Sequence, residues 1–111
     1  MQPKVLKYIL DIQSIIQEIE LINAKTQNNF KNFQSDIILQ RAVERDLEII
    51  GEAIKNLMLL EPNLTISSVK NIIGLRNIIS HAYDSIEPEM IWGIIQKDIL
   101  ILESEINQLK S

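Results

Sequence analysis

Cysteine is absent from the 111 residues, which excludes disulfides and thiolate metal sites and fits a reducing compartment. A single histidine, His81, leaves too few ligands for a metal site. Glycine and proline occur three times each, and no glycine-rich strand-to-helix turn is present to cradle a phosphate. Low-complexity tracts, repeats and linkers are missing as well. Aromatic residues make up only 5% of a chain that is 46% apolar, so the interior must be largely isoleucine and leucine. No apolar run approaches the roughly 18 residues of a membrane span, and the start Met1-Gln2-Pro3-Lys4 lacks a signal-peptide core. The chain is expected to be soluble, cytoplasmic and free of membrane, forming one domain over residues 1–111. Fifteen acidic residues against eleven basic ones, a net charge of −4, argue against broad affinity for nucleic acid.

What is present is helical periodicity. Pro3 suits the first turn of a helix, and Val5, Tyr8, Ile9, Ile12, Ile15, Ile16, Ile19 and Ile22 recur at helical spacing, predicting a helix over residues 3–25. Thr26-Gln27-Asn28-Asn29 is a polar break, and Phe30 and Phe33 anchor a short helical turn. Ser35 or Asp36 caps a second long helix that Glu61-Pro62-Asn63 stops at about Leu60. Its apolar positions are Ile38, Ala42, Ile49, Ala53 and Leu57, widened by Val43, Leu47, Ile50, Ile54 and Met58. That stripe is too broad for one neighbour and calls for packing on more than one face, within a bundle or against a second chain. Gly51 in its middle points to close helix–helix approach. Arg41, Glu44, Arg45, Asp46, Glu48 and Glu52 mix signs at i,i+3 and i,i+4 distances, the pattern of a solvated face; a role for Arg45 or Glu52 is left open. Thr65 caps a third helix over residues 66–84. Pro88 opens a fourth, with Ile91, Ile94, Ile95, Ile101, Leu102, Ile106 and Leu109 on its apolar face. Trp92 serves core or interface packing, or else stacks on a base. Strand signals are absent. The expected fold is all-α, an antiparallel four-helix bundle with one extra helical turn.

The third helix carries the chemistry. Pro62 to Tyr83 is the longest stretch without an acidic residue, and Lys70, Arg76 and His81 are its only ionisable side chains besides the tyrosine. At 100° per residue, Tyr83, Arg76, Ser80, Asn77 and His81 fall in that order across an arc of about 160°. Ile72, Leu75, Ile78, Ile79 and Ala82 take the other side. Gly74 lies beside His81 and leaves room for a ligand or a partner to approach. Ser80 beside His81 is no nucleophile–base pair, because adjacent residues point apart on a helix. Arg76 with His81 suits RNA cleavage without a metal. The ribose 2′-hydroxyl is then the nucleophile, a histidine near neutral pKa moves protons, and a guanidinium holds the phosphoryl oxygens. Asn77 can bond a phosphate or hold His81. Arg76 and His81 lie about 140° apart on one helix, so convergence on one phosphate is easier with a second chain.

Arg76-Asn77, three residues, His81, one residue and Tyr83 resemble the R-x4-H-x-Y signature of the HEPN nucleases, in particular the HepT-like toxins. The phrases Arg41 to Ala53, Ile72-Ile73-Gly74-Leu75-Arg76-Asn77, Ile91-Trp92 and Lys97-Asp98 are similar to that family in order and spacing, over essentially the whole chain. The resemblance implies a homodimeric HEPN bundle acting as a metal-independent RNase toxin on tRNA or mRNA. Arg76 and His81 would be catalytic, with Asn77 and Ser80 in support, in a cleft where two motifs face each other. It implies no cofactor. It also implies a partner, a minimal nucleotidyltransferase antitoxin of the MntA kind, which adds AMP to Tyr83. That phenol shares Arg76's position on the helix, so a phosphoadenosine there would block the cation's phosphate site. A catalytically silent HEPN module that binds nucleotide or RNA, or that only dimerises, is the alternative; the test is cleavage in EDTA that is lost in His81→Ala.

Overall fold

The computed structural model describes residues 2–67, 71–72 and 87–110. Helix α1 spans Pro3–Lys25, with Pro3 at its first turn and Gln2 in extended geometry before it. Val5, Ile9, Ile12, Ile16, Ile19 and Ile22 are its buried residues. They recur at steps of four and three, which draws one narrow seam along the helix. All six are β-branched and carry slightly reduced helix propensity. Packing of this seam therefore stabilises α1 more than its backbone preference does.

The polar break folds as a tight reversal. Gln27 and Asn28 take φ of 56° and 53°, the left-handed region that asparagine tolerates and glutamine rarely enters. Asn29 then caps α2, Phe30–Gln34, its side chain accepting from the backbone N–H groups of Lys31 and Asn32. The far end of α2 is held by buried Gln40, whose Nε2 donates to the carbonyls of Phe33 at 3.0 Å and Gln34 at 2.9 Å. Helix α3, Ile37–Leu60, begins at Asp36, which accepts from the Leu39 N–H at 3.1 Å. Of the two candidate caps, Asp36 is the one used.

Helix α3 buries Val43, Leu47, Ile50, Ile54 and Leu57 in alternating steps of four and three and packs antiparallel to α1. Ile22 and Ala42 line one end of the seam between them, and Tyr8 and Asn56 the other. Its remaining apolar width meets α2 and α4, Pro88–Gly93. Most of the broad stripe is thus satisfied within the chain. Ile38 is the departure, 74% exposed at the first turn. Gly51 is buried.

Pro88 stands at the first turn of α4, as its fixed φ favours. Trp92 packs on both phenylalanines of α2, edge-on to Phe30 at 5.9 Å and tilted against Phe33 at 5.2 Å. It is half-buried and packs against the core. The helix does not continue evenly. Residues Ile94–Asp98 form a π-helical turn, with the Ile99 N–H bonded to the Ile94 carbonyl five residues back, and α5 follows over Ile99–Lys110. The buried face then runs through Ile91, Ile95, Ile99, Leu102 and Ile106, while Ile101, expected inside, is exposed. Ile66 and Ser67 are not helical, so Thr65 does not cap a helix beginning at residue 66; Asn71 and Ile72 are helical, and the rest of the helix expected over 66–84 lies outside the described residues. Among the described residues the chain is all-helical without a strand, and no helix is long and apolar enough to cross a membrane.

Candidate functional site

Arg76, Asn77, Ser80, His81 and Tyr83 lie outside the described residues. What the structure does place is the stretch leading into them. Ile66 and Ile72 are buried in the core. Between them, Ser67 is gripped by Glu105 of α5: its backbone N–H lies 3.2 and 3.1 Å from the two carboxylate oxygens, and its Oγ donates to one of them at 3.1 Å. Four residues on, Asn71 donates from Nδ2 to Oδ1 of Asp98 at 3.1 Å. Asp98 ends the π-helical turn and is buried. The turn is itself tied down, since Gln96 donates to the Asn23 side chain of α1 at 2.9 Å. Two carboxylates seven residues apart therefore hold two points of the chain four residues apart, just upstream of Arg76.

A second set of polar residues lies along α1 and α3. Arg45, Glu48 and Glu52 share a groove of about 370 Å³ with Tyr8 and Asp11. The Arg45 guanidinium sits 3.5 Å from Glu48, an exposed i,i+3 pair worth a few tenths of a kcal/mol. Both α3 residues whose role the sequence leaves open thus face one groove. Asp46 departs from the solvated-face pattern of its neighbours: it is only 7% exposed. Burial pushes its carboxyl up to about 7, and a hydrogen bond and like charge from Glu18 push the same way. Burial first, and the neighbouring carboxylate second, favour the protonated form of Asp46. Glu44 is raised by burial, with Arg41 opposing and Glu48 reinforcing. Glu103 is raised by its hydrogen bond to Glu20. No three metal-ligating side chains cluster among the described residues.

Comparison with known proteins decides what this frame belongs to. The Ribonuclease HepT-like family profile matches residues 12–109. The chain belongs to the HepT-like ribonuclease family. A protein named as a candidate RNase from Caldanaerobacter subterraneus subsp. tengcongensis is 37% identical over 101 residues, covering 88% of this chain and 89% of the relative. Another, named as a candidate HepT ribonuclease from Thermococcus cleftensis, is 32% identical over 104 residues, covering 89% and 92%. A candidate RNase from Methanocaldococcus jannaschii is 30% identical over 105 residues, covering 86% and 94%. No solved structure matches the chain significantly.

The HepT-like match spans the acid-free motif as well as Asp98 and Glu105. Neither of these two carboxylates stood out as a site residue in the sequence. One signal was available: Asp98 interrupts an apolar face between Ile95 and Ile99, where a charge must find a partner. Glu105 carries no such mark, because its exposed bond to Ser67 is legible only once the chain is folded.

Proposed function

We propose that the chain cleaves RNA without a metal, using Arg76 and His81 as its catalytic pair. The observation that carries this reading is the family match across residues 12–109, a range that contains Arg76, Asn77, His81 and Tyr83. The substrate supplies the nucleophile. Its 2′-hydroxyl attacks the adjacent phosphorus, the 5′-oxygen leaves, and a 2′,3′-cyclic phosphate remains on the upstream fragment. His81 exchanges a proton at this step because imidazole is both acid and base near neutral pH. Arg76 offers a planar, permanently charged fork to the phosphoryl oxygens, where charge accumulates in the transition state. Asn77 and Ser80 support it with neutral hydrogen bonds.

The same proposal makes the protein a homodimer whose two motifs face a common cleft, and the toxin of a toxin–antitoxin pair in the cytoplasm. Its antitoxin would be a minimal nucleotidyltransferase that transfers AMP to the Tyr83 phenol. The adenylate's phosphodiester would then occupy the anion site that Arg76 keeps for substrate. Cleavage of RNA in EDTA by the wild type, abolished in His81→Ala and in Arg76→Ala with helix content unchanged, is the expected result. Full cleavage by either variant would remove the catalytic assignment.

A further inference from the structure

We propose that the outward face of α3 is the surface on which a second copy of this chain docks, the two α3 helices lying antiparallel with Arg45 of each against Glu52 of the other. The proposal rests on the homodimer reading above and gives that dimer a place on the molecule.

Helix α3 carries two seams. The inward one is the buried set already described. The other runs through Ile38, Ala42, Arg45, Ile49, Glu52 and Asn56, again in alternating steps of four and three, and reaches Leu59 three residues on; none of these is buried. At 100° per residue they fall within an arc of about 100°, on the side away from Val43, Leu47 and Ile54. A spacing that averages about 3.5 residues keeps two long helices in contact along their length at a crossing of about 20°. The ends of this outward seam are Ile38 and Leu59, 74% and 71% exposed, the two most exposed large apolar side chains among the described residues. Arg45 also borders both open grooves between α1 and α3, of about 370 and 400 Å³. A helix laid along the seam therefore has recesses beside it to fill.

The order of the side chains identifies the occupant. An isologous interface brings a surface onto itself, so each group needs its complement at an equal distance beyond the twofold axis. Arg45 and Glu52 are equally distant from a point between Glu48 and Ile49, and so are Ile38 and Leu59. Antiparallel pairing about that point sets Arg45 opposite the partner's Glu52 and Ile38 opposite the partner's Leu59. Symmetry makes each contact twice. Parallel pairing would set Arg45 on Arg45 and Glu52 on Glu52, which like charges oppose. Within its own chain the Arg45 guanidinium lies 3.5 Å from Glu48, and it carries more N–H donors than that contact uses.

The test reads association by sedimentation velocity over a dilution series, with cleavage of an oligoribonucleotide followed separately. Wild type should dimerise. Arg45→Glu and Glu52→Arg each place like charges opposite one another twice, and each should weaken association tenfold or more. An equimolar mixture of the two variants restores opposite charges at both contacts and should regain wild-type affinity. Mixing does not rescue a role confined to one chain. The chain has no cysteine, which gives a second measurement at the exposed ends of the seam. Ile38→Cys mixed with Leu59→Cys and treated with a short bis-maleimide should give a covalent dimer of one copy of each, and neither variant alone should. Where Glu52→Arg does not fold, the crosslink decides. A wild type that stays monomeric at high micromolar concentration overturns the proposal and the homodimer reading with it. Charge variants that associate as tightly as wild type, or Ile38→Cys crosslinked to itself in place of the mixed pair, overturn this surface and leave the homodimer reading standing. Failure of the wild-type dimer to cleave RNA overturns the RNase reading and leaves the surface standing.

Discussion

Asp46→Asn should stabilise the protein at pH 8 and change little at pH 5. In the folded chain the carboxyl titrates at about 7, against an ordinary value of 3.8. The native state therefore holds a proton that the unfolded chain has released over the interval between those values. Stability from this group is fully present below about pH 4 and is lost progressively as pH rises through 7. The whole shift of about three units corresponds to a ceiling of about 4 kcal/mol, of which about 3 fall between pH 5 and pH 8. Glu18 is exposed, and water screens much of the repulsion, so we expect about 1 kcal/mol across that interval. Asparagine keeps the shape and offers Glu18 a donor at every pH. Urea unfolding of wild type and variant at pH 5 and pH 8 gives four free energies, and their double difference isolates Asp46 from the other titrating carboxyls. Glu44 and Glu103, also raised, contribute equally to both proteins and cancel. A double difference near zero would refute the raised titration of Asp46, and a variant more stable only at pH 5 would reverse its sign.

Leu47→Ala, at a fully buried seam position, should cost about 2–5 kcal/mol, read as a lower denaturation midpoint with an unchanged slope. Asn29→Ala removes the α2 cap and should cost about 1 kcal/mol by the same measurement. Trp92, the only tryptophan, reports on the α2 contact: its emission should shift to the red in a single step with the loss of helical circular dichroism, and a separate earlier step would show that α2 detaches on its own. Tyr83→Phe removes the proposed AMP acceptor while keeping the ring, so after co-expression with the cognate nucleotidyltransferase it should gain no adenylate mass and stay toxic. Adenylation equal to wild type would move the acceptor elsewhere, with Tyr8 or Ser80 the next candidates.

Helix positions were legible in the residues themselves because spacing and capping are local properties. Pro3, Asp36 and Pro88 mark helix starts by their own chemistry, and the isoleucines of α1 reveal their seam by steps of four and three. The motif from Arg76 to Tyr83, and with it the family, was legible for the same reason: it is contiguous. Burial of charge was not. Asp46 stands in a row of charged neighbours and looks solvated, yet the antiparallel crossing of α1 brings Glu18 over it and closes it from water. The π-helical turn was equally invisible, since nothing in Ile94-Ile95-Gln96-Lys97-Asp98 breaks helical periodicity. Only the requirement that Gln96 reach Asn23 and Asp98 reach Asn71, on two different elements, accounts for one widened turn between them. Local sequence set where α1, α3 and α4 begin and which side is apolar, though not the start expected at Thr65; the packing of helices against one another decided which charges went inside and what they hold.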